Sequence, residues 1–193
     1  KFMSDVLEKG RVKLLLWTCA GLIAAAWALI LVWLISGDLQ WETAVAGAVL
    51  TLILAGIGLL AWNGRSRAAA WVLVALLMLL ITADSASYGL DAPGSAAFVL
   101  PVVLAACALG LWPGVGTAAA ASLIVWLTAW ATTAGWYEAY GPADISHLTF
   151  NAPFYSVVLL VTAVIVGSWS HYLTGVMAER DQGLGTGDFQ TTD

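Results

Sequence analysis

A short polar cluster ends an otherwise apolar run and contains the residue types best suited to binding chemistry. Asp84 supplies a carboxylate, and Thr82, Ser85, Ser87 and Tyr88 surround it with hydroxyl groups. An ionisable group in an apolar environment is costly unless it is paired or solvated, which makes Asp84 a functional candidate. Two interpretations are open. Either the cluster lines an outward-facing pocket that binds a cation or a hydrogen-bond donor, or a helix end lies among solvated headgroups.

Other carboxylates fall in or next to the connections on the same predicted side of the chain. Glu42 is the second residue of the second apolar run, and Glu138 follows the fifth. We include both with Asp84, Ser85, Ser87 and Tyr88 in the candidate outer polar pocket.

Two histidines are the only conventional nitrogen ligands for a metal or pigment. His171 lies near the end of the last apolar run, and His147 lies in the loop before it. A neutral imidazole can ligate haem iron or a chlorophyll magnesium. His171 is either a single axial ligand of a bacteriochlorophyll or haem, or an interfacial histidine bonded to headgroups or a carbonyl. We expect no cofactor and no metal site.

Two further residues within apolar runs have structural interpretations. Cys19 and Cys107 show no CxxC or zinc spacing and are expected to be small packing residues. Pro101 removes a backbone donor in the middle of the fourth run, so we expect it to kink that helix and to act as a hinge.

The elements that carry these residues follow from the composition. Of the 193 residues 61% are hydrophobic and 10% are charged, and the mean hydropathy is +0.90. A soluble domain carries about 25% charged residues, so this chain lacks the polar surface needed in water. The composition excludes a soluble enzyme, a nucleic-acid binder and a disulfide-stapled protein. We therefore expect an all-α, polytopic integral membrane protein.

About 20 apolar residues are needed to cross a bilayer, and six such runs occur. We place the spans at 13–35, 41–62, 68–86, 96–112, 115–136 and 154–177. The Pro113-Gly114 pair is expected to form the turn between the fourth and fifth spans. Small residues crowd both of these helices, which are predicted to form a tight antiparallel hairpin.

The charges are distributed asymmetrically between the connections. Six crossings place all seven basic residues on one side: Lys1, Lys9, Arg11, Lys13, Arg65, Arg67 and Arg180. Cytoplasmic flanks collect Lys and Arg, so both termini are predicted to be cytoplasmic in a bacterial inner membrane. The predicted organisation is a cytoplasmic segment 1–12, a six-helix domain 13–177 and a cytoplasmic tail 178–193.

Three tryptophans, Trp27, Trp126 and Trp130, fall near the middle of their spans. We interpret them as helix-packing residues, with pigment contact as the alternative.

Two segments resemble a known membrane architecture. Residues 96–105 (AAFVLPVVLA) and 109–116 (LGLWPGVG), after a short basic loop, are similar to six-helix N-terminal membrane regions of bacterial sensor histidine kinases and related signalling proteins. The resemblance covers about residues 10–182. It implies an input module whose last helix continues into a charged signalling helix, as 177–182 (MAERDQ) does here. The glycine-rich 183–188 that follows departs from that pattern.

The leading functional hypothesis is a non-catalytic membrane sensing or regulatory module that transmits a signal through its last helix. Catalytic motifs such as a Walker loop, HExxH or GxSxG do not occur in the sequence. The alternative is an accessory or scaffold subunit of a respiratory or photosynthetic membrane complex. A small transporter is the third hypothesis. It is disfavoured because the apolar spans contain no site for a coupling ion. The expected partners are the bilayer, other membrane subunits or a second copy, and not nucleic acid.

Overall fold

A computed structural model describes residues 2–37, 41–88, 93–136, 149 and 151–185. Every regular element in these ranges is helical. The helices are α1 (Phe2–Ser36), α2 (Trp41–Trp62), α3 (Ser66–Tyr88), α4 (Pro93–Ala96), α5 (Val99–Ala108), α6 (Leu111–Thr133) and α7 (Ala152–Gly185). The chain divides into two compact units, residues 1–73 and 74–193.

Five of the described helices are long and apolar enough to cross a membrane: α1, α2, α3, α6 and α7. The predicted all-helical membrane class is confirmed to this extent. The predicted fourth span is the exception, because α5 has only 10 residues. At 1.5 Å per residue it is about 15 Å long, which is half the thickness of a hydrocarbon core.

In the first unit, α1 packs against α2. Gly47 makes the close approach possible, since a β-carbon at this position would overlap the side chain of Ile30. The indole N–H of Trp27 on α1 donates a hydrogen bond of 3.0 Å to the hydroxyl of Thr51 on α2. That hydroxyl donates in turn to the carbonyl of Gly47 at 2.8 Å. The packing interpretation of Trp27 is therefore confirmed.

The turn that ends α2 is a Schellman motif. The amide of Gly64 donates to the carbonyl of Ala61 at 3.3 Å, and that of Arg65 donates to Leu60 at 3.2 Å. Gly64 has φ of +79°, a left-handed conformation that glycine adopts without a steric penalty. This turn sets the positions of Arg65 and Arg67 at the start of α3.

In the second unit, the segment before α6 is a broken helix. Residues 97 and 98 form a turn between α4 and α5, and Pro101 is the third residue of α5. The fourth span is therefore interrupted near Pro101, but by a break before the proline and not by a kink within a continuous helix; the hinge role stays a prediction. Pro101 cannot donate to the carbonyl of Ala97, four residues earlier, and its ring clashes with that group. The helix is interrupted there, one turn before the proline.

The turn between α5 and α6 also differs from the prediction. It falls at Leu109-Gly110, and Gly110 has φ of +109°. Pro113 and Gly114 lie in the first turn of α6, so the turn predicted at this pair is misplaced by four residues. A proline is well tolerated in a first helical turn because its missing N–H would have no partner there.

The α5–α6 hairpin packs closely, as the small residues predicted. A β-carbon at Gly114 would lie 2.7 Å from the β-carbon of Ala106 and 2.9 Å from its α-carbon. The buried stripe of α6 consists mainly of small residues and threonines: Gly114, Thr117, Ala118, Ala121, Val125, Thr128, Ala129 and Thr132. Short side chains let helix backbones approach and maximise van der Waals contact.

Helix α7 packs on both members of this hairpin. A β-carbon at Gly167 would lie 2.9 Å from the α-carbon of Leu111, so the two backbones touch at this point. Further along the pair, the indole of Trp126 donates to the hydroxyl of Ser156 at 3.2 Å. Trp126 therefore serves helix packing, as expected. Trp130 makes an edge contact with Trp136, with ring centroids 4.5 Å apart.

Candidate functional site

The predicted cluster around Asp84 lies in the last two turns of α3. Asp84 is half-buried, Ser85 is buried, and Ser87 and Tyr88 are exposed. The hydroxyl of Ser85 lies 3.4 Å from that of Ser95, which links α3 to α4. Thr82 and Ser87 donate to carbonyls of their own helix, Met78 at 2.6 Å and Ala83 at 2.9 Å. Three of the hydroxyls therefore have partners within the protein, and Asp84 remains the group of the cluster best suited to an external ligand.

The other two carboxylates of the predicted pocket are Glu42 and Glu138. Glu42 is exposed in the first turn of α2, where the helix dipole stabilises an anionic side chain. Glu138 lies outside the described residues. The outer pocket formed by these residues therefore stays a prediction.

The candidate metal or pigment ligands were His171 and His147. His171 is exposed on α7, and His147 falls outside the described ranges. Among the residues that the structure describes, no group of three or more His, Cys, Asp or Glu side chains could hold a metal ion. Cys19 is buried, but Cys107 is exposed, so its expected packing role within the chain is wrong.

Two open cavities lie in the first unit, where α1, the end of α2 and the start of α3 meet. One cavity of about 470 Å³ is bounded by both charged and apolar side chains. Its lining residues are Glu8, Lys9, Val12, Lys13, Leu16, Ala61, Trp62 and Gly64.

A second cavity of about 520 Å³ is more strongly basic. Its lining residues are Glu8, Arg11, Gly64, Arg65, Ser66, Arg67 and Ala68. The two cavities share Glu8 and Gly64 and are therefore adjacent; together we call them the basic cleft.

The sequence analysis used these basic residues only as markers of orientation. Two predicted spans separate the basic residues at 9–13 from those at 65–67 in the sequence, and no motif connects the two groups. The turn at Gly64 brings the two groups together by reversing the chain so that α3 begins beside the end of α2. A basic loop between two spans, together with basic residues one turn before the first span, was the signal available.

The charges within the basic cleft interact. Arg11 is half-buried and lines the same cavity as Arg67 and Glu8, so a like charge and an opposite charge are both close to it. Five cationic side chains and one carboxylate line the cleft, which gives it a net formal charge of +4. Such a site attracts anions.

Helix α7 is the element predicted to carry a signal, and the structure shows it as one uninterrupted helix of 34 residues. Its contacts with α6 are the Gly167–Leu111 approach and the Trp126–Ser156 hydrogen bond. No protein-family model, curated protein or solved structure is significantly similar to this chain.

Proposed function

We propose that this protein is a non-catalytic membrane sensing or regulatory module that transmits a signal through α7. The observation that carries the proposal is the length of that helix. Its 34 residues extend about 51 Å, whereas the hydrocarbon core is about 30 Å thick. More than three turns, which include Glu179, Arg180 and Asp181, continue beyond a single crossing. A rigid helix of this kind can carry a displacement out of the bilayer.

The packing of α7 supports transmission by movement of the whole helix. Backbone contact at Gly167 and the hydrogen bond at Ser156 hold α7 at two points that are 11 residues, or about 16 Å, apart. Close-packed interfaces switch between discrete arrangements and do not deform continuously. A change in how α7 seats on the α5–α6 hairpin therefore moves its charged end.

The input in this proposal is a ligand of the Asp84 cluster or a change in the bilayer itself. Asp84 lies near the end of α3, and Ser85 joins this end to α4 through Ser95. The α4–α5 break at residues 97–98 follows directly and leads into the hairpin that carries α7. In this proposal the hinge is the break at residues 97–98. Pro101 maintains it because a proline cannot continue the helix back to Ala97.

We further propose that both termini lie in the cytoplasm and that the protein resides in a bacterial inner membrane. The support is the segregation of all seven basic residues under an even number of crossings. An even number requires the broken segment α4–α5 to cross together. Their 16 residues, from 93 to 108, amount to about 24 Å, which a locally thinned bilayer accommodates.

The accessory-subunit function is the second candidate, and the exposed tryptophans favour it. Trp17, Trp62, Trp112 and Trp169 are more than 60% exposed and could pack against partner helices. Lipid at the interface solvates such residues equally well, which is why this function ranks second. A pigment or haem on His171 belongs to this second proposal only.

Two glycines on α7 provide the test of signal transmission. Gly167→Ala places a methyl group against the backbone of Leu111, whereas Gly175 has open space at the same substitution. A spin label at position 182, in a Cys19→Ala, Cys107→Ala background, reports the mobility of the end of α7. We expect Gly167→Ala to change this mobility and Gly175→Ala to leave it unchanged. Equal spectra for both variants would contradict a coupling between the α6–α7 contact and the helix end.

Purification of the protein from its native membrane in mild detergent separates the two functions. A homodimer without cofactor-bearing subunits agrees with the sensing module. Stoichiometric co-purification with such subunits would replace it by the accessory function.

A further inference from the structure

The basic cleft has two halves of different chemistry. Arg11, Arg65 and Arg67 line one half, and the buried Ser66 forms part of its floor. The other half is bounded by Val12 and Leu16 on α1 and by Ala61 and Trp62 on α2. Lys9, Lys13 and Glu8 line its edge. Trp62 is 73% exposed, so its indole stands at the rim of the cleft.

The cationic half lacks enough negative charge of its own. Glu8 lines both halves and is the one carboxylate among the residues of the two cavities. Three arginines line this half and two lysines line the other. Arg11, Arg65 and Arg67 bring three like charges into one cavity, and like charges repel. A bound anion would replace this repulsion by attractive contacts, and guanidinium groups bind phosphate oxygens in a bidentate geometry.

The apolar half excludes a simple inorganic anion as the best-fitting ligand. The wall of Val12, Leu16 and Ala61 runs from the charged groups towards the membrane-spanning part of α1 and α2. The two helices are in contact here, since a β-carbon at Gly58 would lie 3.4 Å from the side chain of Leu16. A ligand that satisfies both halves carries a phosphate group at one end and a hydrocarbon chain at the other.

We propose that the basic cleft is a binding site for an anionic phospholipid. The headgroup phosphate lies between Arg11, Arg65 and Arg67, and an acyl chain follows Val12 and Leu16 beneath Trp62. This site lies wholly within the first unit, and the proposal does not depend on signal transmission through α7. The shared chemistry is a phosphate ester, which a water-soluble molecule could also supply, so the test separates the two sources.

The probes are phosphatidylglycerol, phosphatidylcholine and glycerol 1-phosphate, each added to the delipidated full chain in neutral detergent. Native mass spectrometry counts bound molecules as a function of concentration. We expect phosphatidylglycerol to bind in preference to phosphatidylcholine, and glycerol 1-phosphate to bind far more weakly than either lipid. Equal binding of the two lipids would overturn the proposal. Glycerol 1-phosphate binding as tightly as phosphatidylglycerol would assign the cleft to a soluble phosphate ester.

Charge-removing variants test the position of the site. Each basic residue near a membrane surface strengthens the binding of anionic lipid. The double variant Arg65→Gln, Arg67→Gln should therefore bind phosphatidylglycerol about 30-fold more weakly. Arg180→Gln removes one positive charge from α7, outside the cleft-lining residues, and should leave the affinity unchanged. A loss of about 5-fold in this variant, the effect of one charge, would indicate attraction by net charge and would overturn the assignment to the cleft.

A gain of affinity provides a test that misfolding cannot imitate. Glu8→Gln removes the one opposing charge and should strengthen phosphatidylglycerol binding about 5-fold. Glu42→Gln, at the beginning of α2, is the matched control and should have no effect. Unchanged or weaker binding to the Glu8→Gln variant would contradict the proposed location of the headgroup.

Discussion

The indole N–H of Trp126 donates to the hydroxyl of Ser156, which itself donates to the carbonyl of Ala152 at 2.8 Å. Trp27 and Thr51 repeat this arrangement in the first unit, with Gly47 as the final acceptor. In each case a hydroxyl that donates to a carbonyl of its own helix also accepts a hydrogen bond from the neighbouring helix. Both polar groups are thereby paired in a part of the chain where water cannot replace them.

A double-mutant cycle on Trp126→Phe and Ser156→Ala should give a coupling free energy of about 0.6 kcal/mol. Interhelical hydrogen bonds in membranes average this value because the separated helices also find partners. Reversible unfolding in detergent with a denaturant measures the four stabilities. Trp112→Phe with Ser156→Ala is the control pair and should show no coupling. Additive effects in the Trp126 cycle would show that the hydrogen bond contributes nothing to stability.

The closest contact of the α5–α6 hairpin can be tested with two neighbouring glycines. Gly114→Ala inserts a methyl group 2.7 Å from the β-carbon of Ala106, and Gly116→Ala meets nothing within 4 Å. We expect the first substitution to destabilise the protein by about 1–3 kcal/mol, the usual cost of overpacking. Gly116→Ala should be neutral or slightly stabilising, since alanine is the better helix former. Thermal unfolding followed by circular dichroism compares the two variants, and equal midpoints would show that the hairpin can separate at little cost.

Pro101→Ala should close the break between α4 and α5. The substitution restores an amide that can donate to the carbonyl of Ala97 and removes the ring that clashes with it. Hydrogen exchange at residues 97–101 should slow as the helix becomes continuous. Pro113→Ala, in the first turn of α6, is the control and should leave hydrogen exchange at residues 97–101 unchanged. If exchange at 97–101 stays fast in the Pro101→Ala variant, the burial of Phe98 and the Ser85–Ser95 contact hold the break instead.

The orientation can be checked by cysteine labelling in intact cells. In a Cys19→Ala, Cys107→Ala background, Ser4→Cys and Thr186→Cys should both resist an impermeant maleimide added outside. Asp91→Cys should react, because the connection after α3 is predicted to face outwards. Labelling of only one chain end would show that the segment 93–108 does not cross, and the proposed cytoplasmic termini would then be wrong.

Several boundaries agree closely between prediction and structure. The second span was predicted at 41–62 and α2 occupies Trp41–Trp62, and the predicted end of the first span falls one residue before the end of α1. In both places Gly and charged residues follow an apolar run directly. The boundary at Pro113-Gly114 was misplaced because proline is compatible with both a turn and a first helical turn. Only the φ of Gly110 distinguishes the two.

The candidate sites also differ in how far the sequence predicted them. Asp84 was identified from its residue type and position, and its neighbours then proved to be bonded largely within the protein. The basic cleft was not predicted, since its two groups of basic residues are about 50 positions apart in the sequence.

Apolar run length and charge placement are properties of the chain in one dimension, and the energetics of the bilayer acts on them directly. They were sufficient to predict a helical, multi-pass membrane protein and most helix ends. Which glycines carry the helix contacts, where Pro101 interrupts the chain, and how Arg11 comes to face Arg67 depend on packing between residues distant in sequence. Van der Waals contact and charge interaction act only over a few ångströms, so these features arise only when the helices have been brought together.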